Sequence, residues 1–439
     1  MMFGDKFYKS IILIVSGMLF LSIRNADPLI NPIMYAEDGT WIASALSHGW
    51  VNTFIHARDD YFVFFNMFFL FISSTISNII TGNPLILLPQ SIALMSYFFY
   101  AFVSMMMYSV VRRISTEKFA FLIYFLGILL PLGGSQNENI GRLLQIGFYM
   151  PVMAICFILY RESVEGKLAK CVIDLMVFLS SATNPIVFAI VGLYYFLGFI
   201  KSKNKLLFIC DLLPLIISMI VLFIMILPRL DTSGGLGGIS YNPNNLIEMV
   251  TARQVLYPFI FPWYGVFNNE MSIYFTVMYI LFCSFVFFKT KSKVARKTIL
   301  VLMSTLVIVI VSTSIGRSGL TGVLNNYRTS FPDRYFAGAN ALSVFLFVVC
   351  LSQCDFSIFW RFFSKVIYIS IVCLYVLNFD LIIQSNISKN NIRLNDNFVS
   401  EICNAKNIDV HNSVIKIQPS GWEMRVPTTI ISQVKCRFK

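Results

Sequence analysis

The stretch Ile11-Ile12-Leu13-Ile14-Val15-Ser16-Gly17-Met18-Leu19-Phe20-Leu21-Ser22-Ile23 decides the fold, because segments of the same character recur along most of the chain. Lys6 and Lys9 precede it, so its outline is that of a secretory signal. No small-residue cleavage site follows in Arg24-Asn25-Ala26-Asp27-Pro28, and the run therefore reads as an uncleaved first membrane helix with its start in the cytoplasm. A helix needs about 20 mainly apolar residues to cross the hydrocarbon, and such segments continue almost to Gln384. Of 439 residues, 57% are hydrophobic and only 13% charged, with mean hydropathy +0.73, which excludes an ordinary soluble domain. The expected fold is an all-α polytopic membrane protein of roughly eleven transmembrane segments. One membrane domain, 1–384, is followed by a small extracytoplasmic tail domain, 385–439.

The net charge of +12 does not point to nucleic acid, because the basic residues fall in short clusters between apolar segments, as the positive-inside rule requires. Arg112-Arg113 with Lys118, Arg161 with Lys167 and Lys170, Lys201 to Lys205, Lys289 to Lys297, and Arg361 with Lys365 are the cytoplasmic clusters. The polar segments 24–60, 133–142, 228–270 and 316–340 then lie outside, together with the tail. Parity leaves one apolar segment too many. Tyr61 to Ile80, with its aromatic start, is assigned to the outer interface instead of a crossing. Val172 to Ile200 has basic clusters on both sides, so it reads as a hairpin broken at Ala182-Thr183-Asn184-Pro185, or else as one kinked helix.

Within the first outer loop, Tyr35-Ala36-Glu37-Asp38-Gly39-Thr40-Trp41 places adjacent acids where apolar segments otherwise exclude them. A carboxylate there suits a general base that takes the proton of an attacking hydroxyl; capping of a following helix by Asp38 or Thr40 is the structural alternative. His56-Ala57-Arg58-Asp59-Asp60 offers a sugar-phosphate contact, a divalent cation site through Asp59 and Asp60, or an interfacial helix cap. The segment Gly134 to Arg142 is dense in amides, with Asn137 and Glu138 suited to sugar hydroxyls and Arg142 to phosphate.

Ser233-Gly234-Gly235-Leu236-Gly237-Gly238 lacks the strand, helix and Lys-Ser of a phosphate loop and reads as a flexible lid. Tyr257, Trp263, Tyr264 and Phe267 form either an interfacial belt or a stacking surface for sugar rings. Every basic residue in the outer loops before the tail is Arg: Arg24, Arg58, Arg142, Arg229, Arg253, Arg317, Arg328 and Arg334. Guanidinium forks bind phosphate, but Arg also tolerates burial beside acids such as Asp231 or Asp333. Cys403 and Cys436 share the tail and would pair there in an oxidising compartment; the other cysteines read as packing residues. Asn386-Ile387-Ser388 matches a glycosylation acceptor.

The acidic pair Glu37-Asp38 after the first helix, then His56-Ala57-Arg58, the aromatic segment Tyr61 to Ile80 and the crossing that ends in Arg112-Arg113 resemble the GT-C class of membrane glycosyltransferases. Length, charge and tail are similar to the serotype-converting O-antigen glucosyltransferases of phage type. That resemblance implies an inverting bacterial inner-membrane enzyme, its N-terminus cytoplasmic and C-terminus periplasmic. It would move glucose from a polyprenyl-phosphate donor to a lipid-linked polysaccharide acceptor, the O-antigen repeats of lipopolysaccharide. Asp38 or Glu37 would be the first-loop acid, Asp38 preferred, and Glu138 the second-loop acid. Arg142, Arg328, Arg334 and Arg58 would hold donor phosphate, while Asn137, Trp263 and Tyr264 contact sugar. The family's more usual His-Arg-Pro-Pro is His-Ala-Arg-Asp-Asp here. An O-antigen polymerase and a lipid-linked glycan flippase are the alternatives. A flippase should carry internal repeats and charges inside its spans, neither of which stands out.

Overall fold

The computed structural model describes residues 2–59, 61–230, 242–324, 326–329, 331–383 and 398–434; the side chains of 2–7, 228–230, 244, 331 and 332 lie outside that description. The chain is mostly helical, as its apolar runs predict. Seven helices among the described residues are long and apolar enough to cross a membrane, or up to eight if one bent pair is a single span. The first is Phe64–Thr81, so the segment assigned to the interface from sequence has the length and composition of a span.

Met2–Arg24, a helix of 23 residues, is not among these seven, and part of the remaining shortfall from eleven is structural. Several apolar segments are interrupted and yield helices too short to cross alone. Glu117–Ile128 breaks before Gly133–Asn139 with a 73° bend. The segment beyond Leu143 becomes a tight turn at Ile146–Tyr149 followed by a 12-residue helix, Met150–Arg161. The expected break before residue 186 is present: Lys167–Thr183 and Ile186–Lys201 are separate helices, and the Asn184 side chain accepts from the Ile186 amide at 3.0 Å.

Two compact units result, one comprising Met1–Ala101, Asn137–Gly147 and Ile383–Lys439, the other Phe102–Gln136 and Phe148–Ile382. In the second unit the helix Ala337–Ser352 is buried along nearly its whole length. Small residues at Ala337, Gly338, Ala339 and Ala341 let neighbouring backbone approach closely, as lipid-embedded helices require. At the other extreme Lys205–Leu227 and Ile358–Leu377 are largely exposed, with Leu206, Ile217, Ile224 and Phe362 turned outward. Exposed apolar faces of this extent belong against lipid. The chain is built as a helical membrane protein.

In the first unit, helix α1 (Ala36–His48) packs on a three-stranded antiparallel sheet formed by the tail: β1 (Lys406–Asn407), β2 (Asn412–Ile417) and β3 (Trp422–Pro427), in the order β1-β2-β3. Ile415 and Ile417 on β2 and Met424 and Val426 on β3 are buried, the period of two that a strand with one covered face requires. The tail is thus no free appendix. Its Phe398 amide donates to the Pro32 carbonyl at 2.9 Å, and Gln418 pairs in parallel with Tyr35. Cys403 is disulfide-bonded, and its expected partner Cys436 lies outside the described residues.

Candidate active site

Glu37 and Asp38 occupy the first turn of α1, where ionised carboxylates favour the positive helix end. Neither Asp38 nor Thr40 caps the helix: the cap residue is Tyr35, whose side chain makes no bond to the helix end, and the Thr40 hydroxyl turns back to the Glu37 carbonyl at 3.1 Å. The turn is held from behind. Ala36 adopts φ +42°, a left-handed conformation that costs an alanine about 1–2 kcal/mol, and its amide donates to the Gln418 carbonyl at 2.5 Å. Gly39 faces the sheet so closely that a Cβ would stand 2.5 Å from Ile417 Cδ1. Strained backbone clamped by remote structure is a recurrent mark of functional sites.

Residues 137–147 join this turn from the second polar loop. Gly141, at φ +85°, sits where a Cβ would come within 2.5 Å of Pro28 Cγ, and only glycine admits that turn without strain. Just beyond it, the Leu143 amide donates to Asp38 Oδ2 at 3.0 Å, while Asn66 Nδ2 donates to the Leu143 carbonyl at 2.6 Å. Arg142 Nη1 donates to the Ile33 carbonyl at 2.6 Å, and its guanidinium lies over the Tyr35 ring, 5.1 Å from the centroid. Tyr35 in turn donates its hydroxyl to Glu138 Oε1 at 3.0 Å. The structure therefore brings together Glu37, Asp38, Asn137, Glu138 and Arg142, separated by about a hundred residues of chain.

Burial separates the two adjacent acids. Asp38 is fully enclosed, and burial pushes its carboxyl up to about 7, against the pull of the Leu143 amide and the Arg142 charge. Its Oδ1 has no hydrogen-bond partner among the described residues. Glu37 is half-buried, and its carboxylate makes no hydrogen bond or ion pair among the described residues. At neutral pH Asp38 is partly protonated and shielded from any substrate. Glu37 has the access a base requires, which reverses the preference for Asp38.

Three other expectations are also redirected by the surroundings of the residues. Arg142 is only 5% exposed and its guanidinium is engaged beneath Tyr35, so it supports the site from below and does not present a phosphate-binding fork. Burial draws its pKa down, and no carboxylate stands at ion-pair distance. Tyr264 is 3% exposed, its hydroxyl given to Glu248 at 2.8 Å, so no sugar ring stacks on it. Trp263 is 55% exposed but lines an almost wholly apolar groove of about 1000 Å³ with Phe267, Met271, Phe282 and Trp360, which lacks the polar partners a sugar needs.

Arg328 is exposed, its carbonyl accepting from Arg253 at 2.6 Å. Arg334 stacks over Tyr335 at 5.0 Å, and Arg317 faces the same ring at 5.3 Å, a pairing the sequence does not reveal. In the first unit Arg58 lies over Tyr61 at 4.8 Å. Asp60, half of the suggested cation pair, and the lid Ser233 to Gly238 lie outside the described residues, as do Asn386-Ile387-Ser388. Among the described residues no group of three or more His, Cys, Asp or Glu side chains is placed to hold a metal ion.

Asp333 does pair with a buried outer-loop Arg, as the sequence allowed, but Glu248 and the ionic cluster it completes in the second unit were missed. Glu248–Leu256 is a π-helix, whose wider turn brings residues five apart onto one face. Glu248 and Arg253 consequently meet at 2.9 Å, and Asp333 pairs with the same guanidinium. Comparison with known proteins returns nothing: no family model, no curated protein and no solved structure matches this chain.

Proposed function

We propose that the chain is a membrane glycosyltransferase, taking a sugar, glucose by its resemblance, from a polyprenyl-phosphate donor and adding it to lipid-linked O-antigen repeats at the extracytoplasmic face of a bacterial inner membrane. The observation that carries this reading is the joining of two distant polar stretches, the Leu143 amide donating to Asp38 beside Glu37 and the Tyr35 hydroxyl to Glu138. Glu37 takes the proton of the acceptor hydroxyl as its oxygen attacks the anomeric carbon. The bond from that carbon to the phosphate oxygen breaks, and the polyprenyl phosphate leaves with the electron pair. Negative charge from Glu138 stabilises the oxocarbenium-like transition state. Asp38 positions the second loop through the Leu143 amide. Arg58, in the same unit as Glu37, is the candidate phosphate ligand.

Transfer from glucose-labelled undecaprenyl phosphate to polysaccharide, measured in membranes, tests the assignment. Glu37→Gln should lose transfer while remaining inserted and abundant; a fully active Glu37→Gln enzyme rules Glu37 out as the base.

A further inference from the structure

The tail of the first unit contains a cleft that the proposed transfer does not use. About 370 Å³ in volume, it lies between Ile33-Met34, the short helix Phe398–Cys403 and the turn joining β2 to β3. Its size is at the lower end of ligand pockets, roughly 300–1,000 Å³, enough for a mono- or disaccharide. The lining is mixed: Ile33, Met34 and Phe398 form a buried apolar floor, while Glu401, Lys416, Gln418, Trp422 and Glu423 contribute polar groups and an indole.

Two features set this cleft apart from an ordinary surface dimple. Trp422 is 36% exposed, on the last pair of a strand ladder whose other pairs on that face are buried, so its backbone is fixed by the sheet and the indole is available. A rigid ring costs little conformational entropy when a ligand stacks on it. The side chains of Glu401, Lys416, Gln418, Trp422 and Glu423 also make no hydrogen bond or ion pair among the described residues, although Lys416 and Glu423 stand opposite each other across the strands. Carboxylates, an amide and an ammonium left open around an indole match the paired hydroxyls and the apolar face of a pyranose ring. The opposed charges disfavour a strongly charged ligand of either sign.

The cleft is also wired to the acidic turn. Gln418, on its wall, donates its amide to the Met34 carbonyl at 3.0 Å and accepts from the Ala36 amide, one residue before Glu37. We infer that this tail cleft is a glycan-binding site, stacking a neutral sugar on Trp422 and holding its hydroxyls with Glu401, Gln418 and Glu423. Resting on the glycosyltransferase reading, it would seat the acceptor polysaccharide, and its wall would report occupancy to the turn that carries Glu37.

Saturation-transfer NMR of the detergent-solubilised full chain, with neutral trisaccharides of glucose, galactose and rhamnose, tests binding without requiring transfer. At least one trisaccharide should bind the wild type. Trp422→Ala should weaken that binding at least about tenfold, with Trp422→Phe retaining most of it and the exposed Glu423→Gln reducing it. Glu37→Gln should bind like the wild type, so a failure of the catalytic assignment leaves this result intact. Absence of binding to all the trisaccharides, or binding unchanged in Trp422→Ala, overturns the proposal.

Discussion

Arg253 and Arg142 are both enclosed, at 2% and 5% exposure, yet the surroundings of the two guanidinium groups have little in common. Arg253, in the second unit, is saturated: Glu248 and Asp333 pair with it, the Arg328 carbonyl accepts from it, and the Tyr264 ring lies 5.4 Å away. Asp333 completes the closure by accepting the Gly134 amide at 3.0 Å. Arg142, in the first unit, has a carbonyl and a ring but no ion pair. In the same unit Asp38 Oδ1, Asn25 Oδ1, Asn66 Oδ1, Asn137 Oδ1 and its own Nε find no hydrogen-bond partner among the described residues. Buried polar groups normally satisfy one another, so a complete network speaks for architecture and an incomplete one for chemistry.

That contrast is broken most directly at Glu37. Its conversion to Gln should cost transfer two to four orders of magnitude, about 10²–10⁴-fold, the usual weight of a general base, with melting temperature unchanged. A variant that loses stability and activity together would make the first cluster as structural as the second. Next in size is Arg253→Met, which leaves Glu248 and Asp333 enclosed without a cation. Breaking a buried pair from one side costs about 3–5 kcal/mol, read as a lower melting temperature or loss of folded protein in detergent. An unchanged melting point would remove its architectural role.

Asp38 sharpens the comparison through pH. Its carboxyl titrates near 7 in the fold against 3.8 ordinarily, so the folded state holds the proton more tightly. The associated stability is complete below about pH 4 and is lost as pH rises through 7, by at most about 4 kcal/mol. Asp38→Asn can still accept from the Leu143 amide and cannot ionise. It should melt like the wild type at low pH and higher than the wild type at pH 8; parallel melting curves across that range contradict an enclosed, titrating Asp38. The smallest effects come from close packing. Alanine at Gly338 drives its Cβ onto the Phe148 carbonyl oxygen, where backbone must move, and should cost about 1–3 kcal/mol. At Gly39 the obstacle is the end of the Ile417 side chain, which can rotate, so Gly39→Ala should lower the melting temperature less.

Part of this was legible in the residues. Apolar length and charge clusters predicted a helical membrane protein, and the acids at Glu37-Asp38 marked the first-loop turn. The break after Thr183 was announced by Asn184-Pro185. What stayed hidden depends on long separations or on unusual geometry. Nothing local says that Leu143 will meet Asp38, and a spacing of five between Glu248 and Arg253 is meaningful only once the helix is wound as π. The excess of outer-loop Arg turns out to have burial as one cause, since Arg24, Arg142 and Arg253 are all enclosed. The tail sheet is readable in principle, from the alternation of Ser413, Ile415 and Ile417 and the Pro-Ser-Gly turn, a signal of period two that is short beside the long apolar runs.

The bond between Ala36 and Gln418 also sets an order in time. The acidic turn leaves the ribosome well before its clamp, because the carbonyl that holds its strained alanine is encoded 382 residues later. At about 5–20 residues per second the turn waits roughly 20–80 s for its clamp. The acidic turn is therefore finished long after it is made, once the tail sheet has been synthesised.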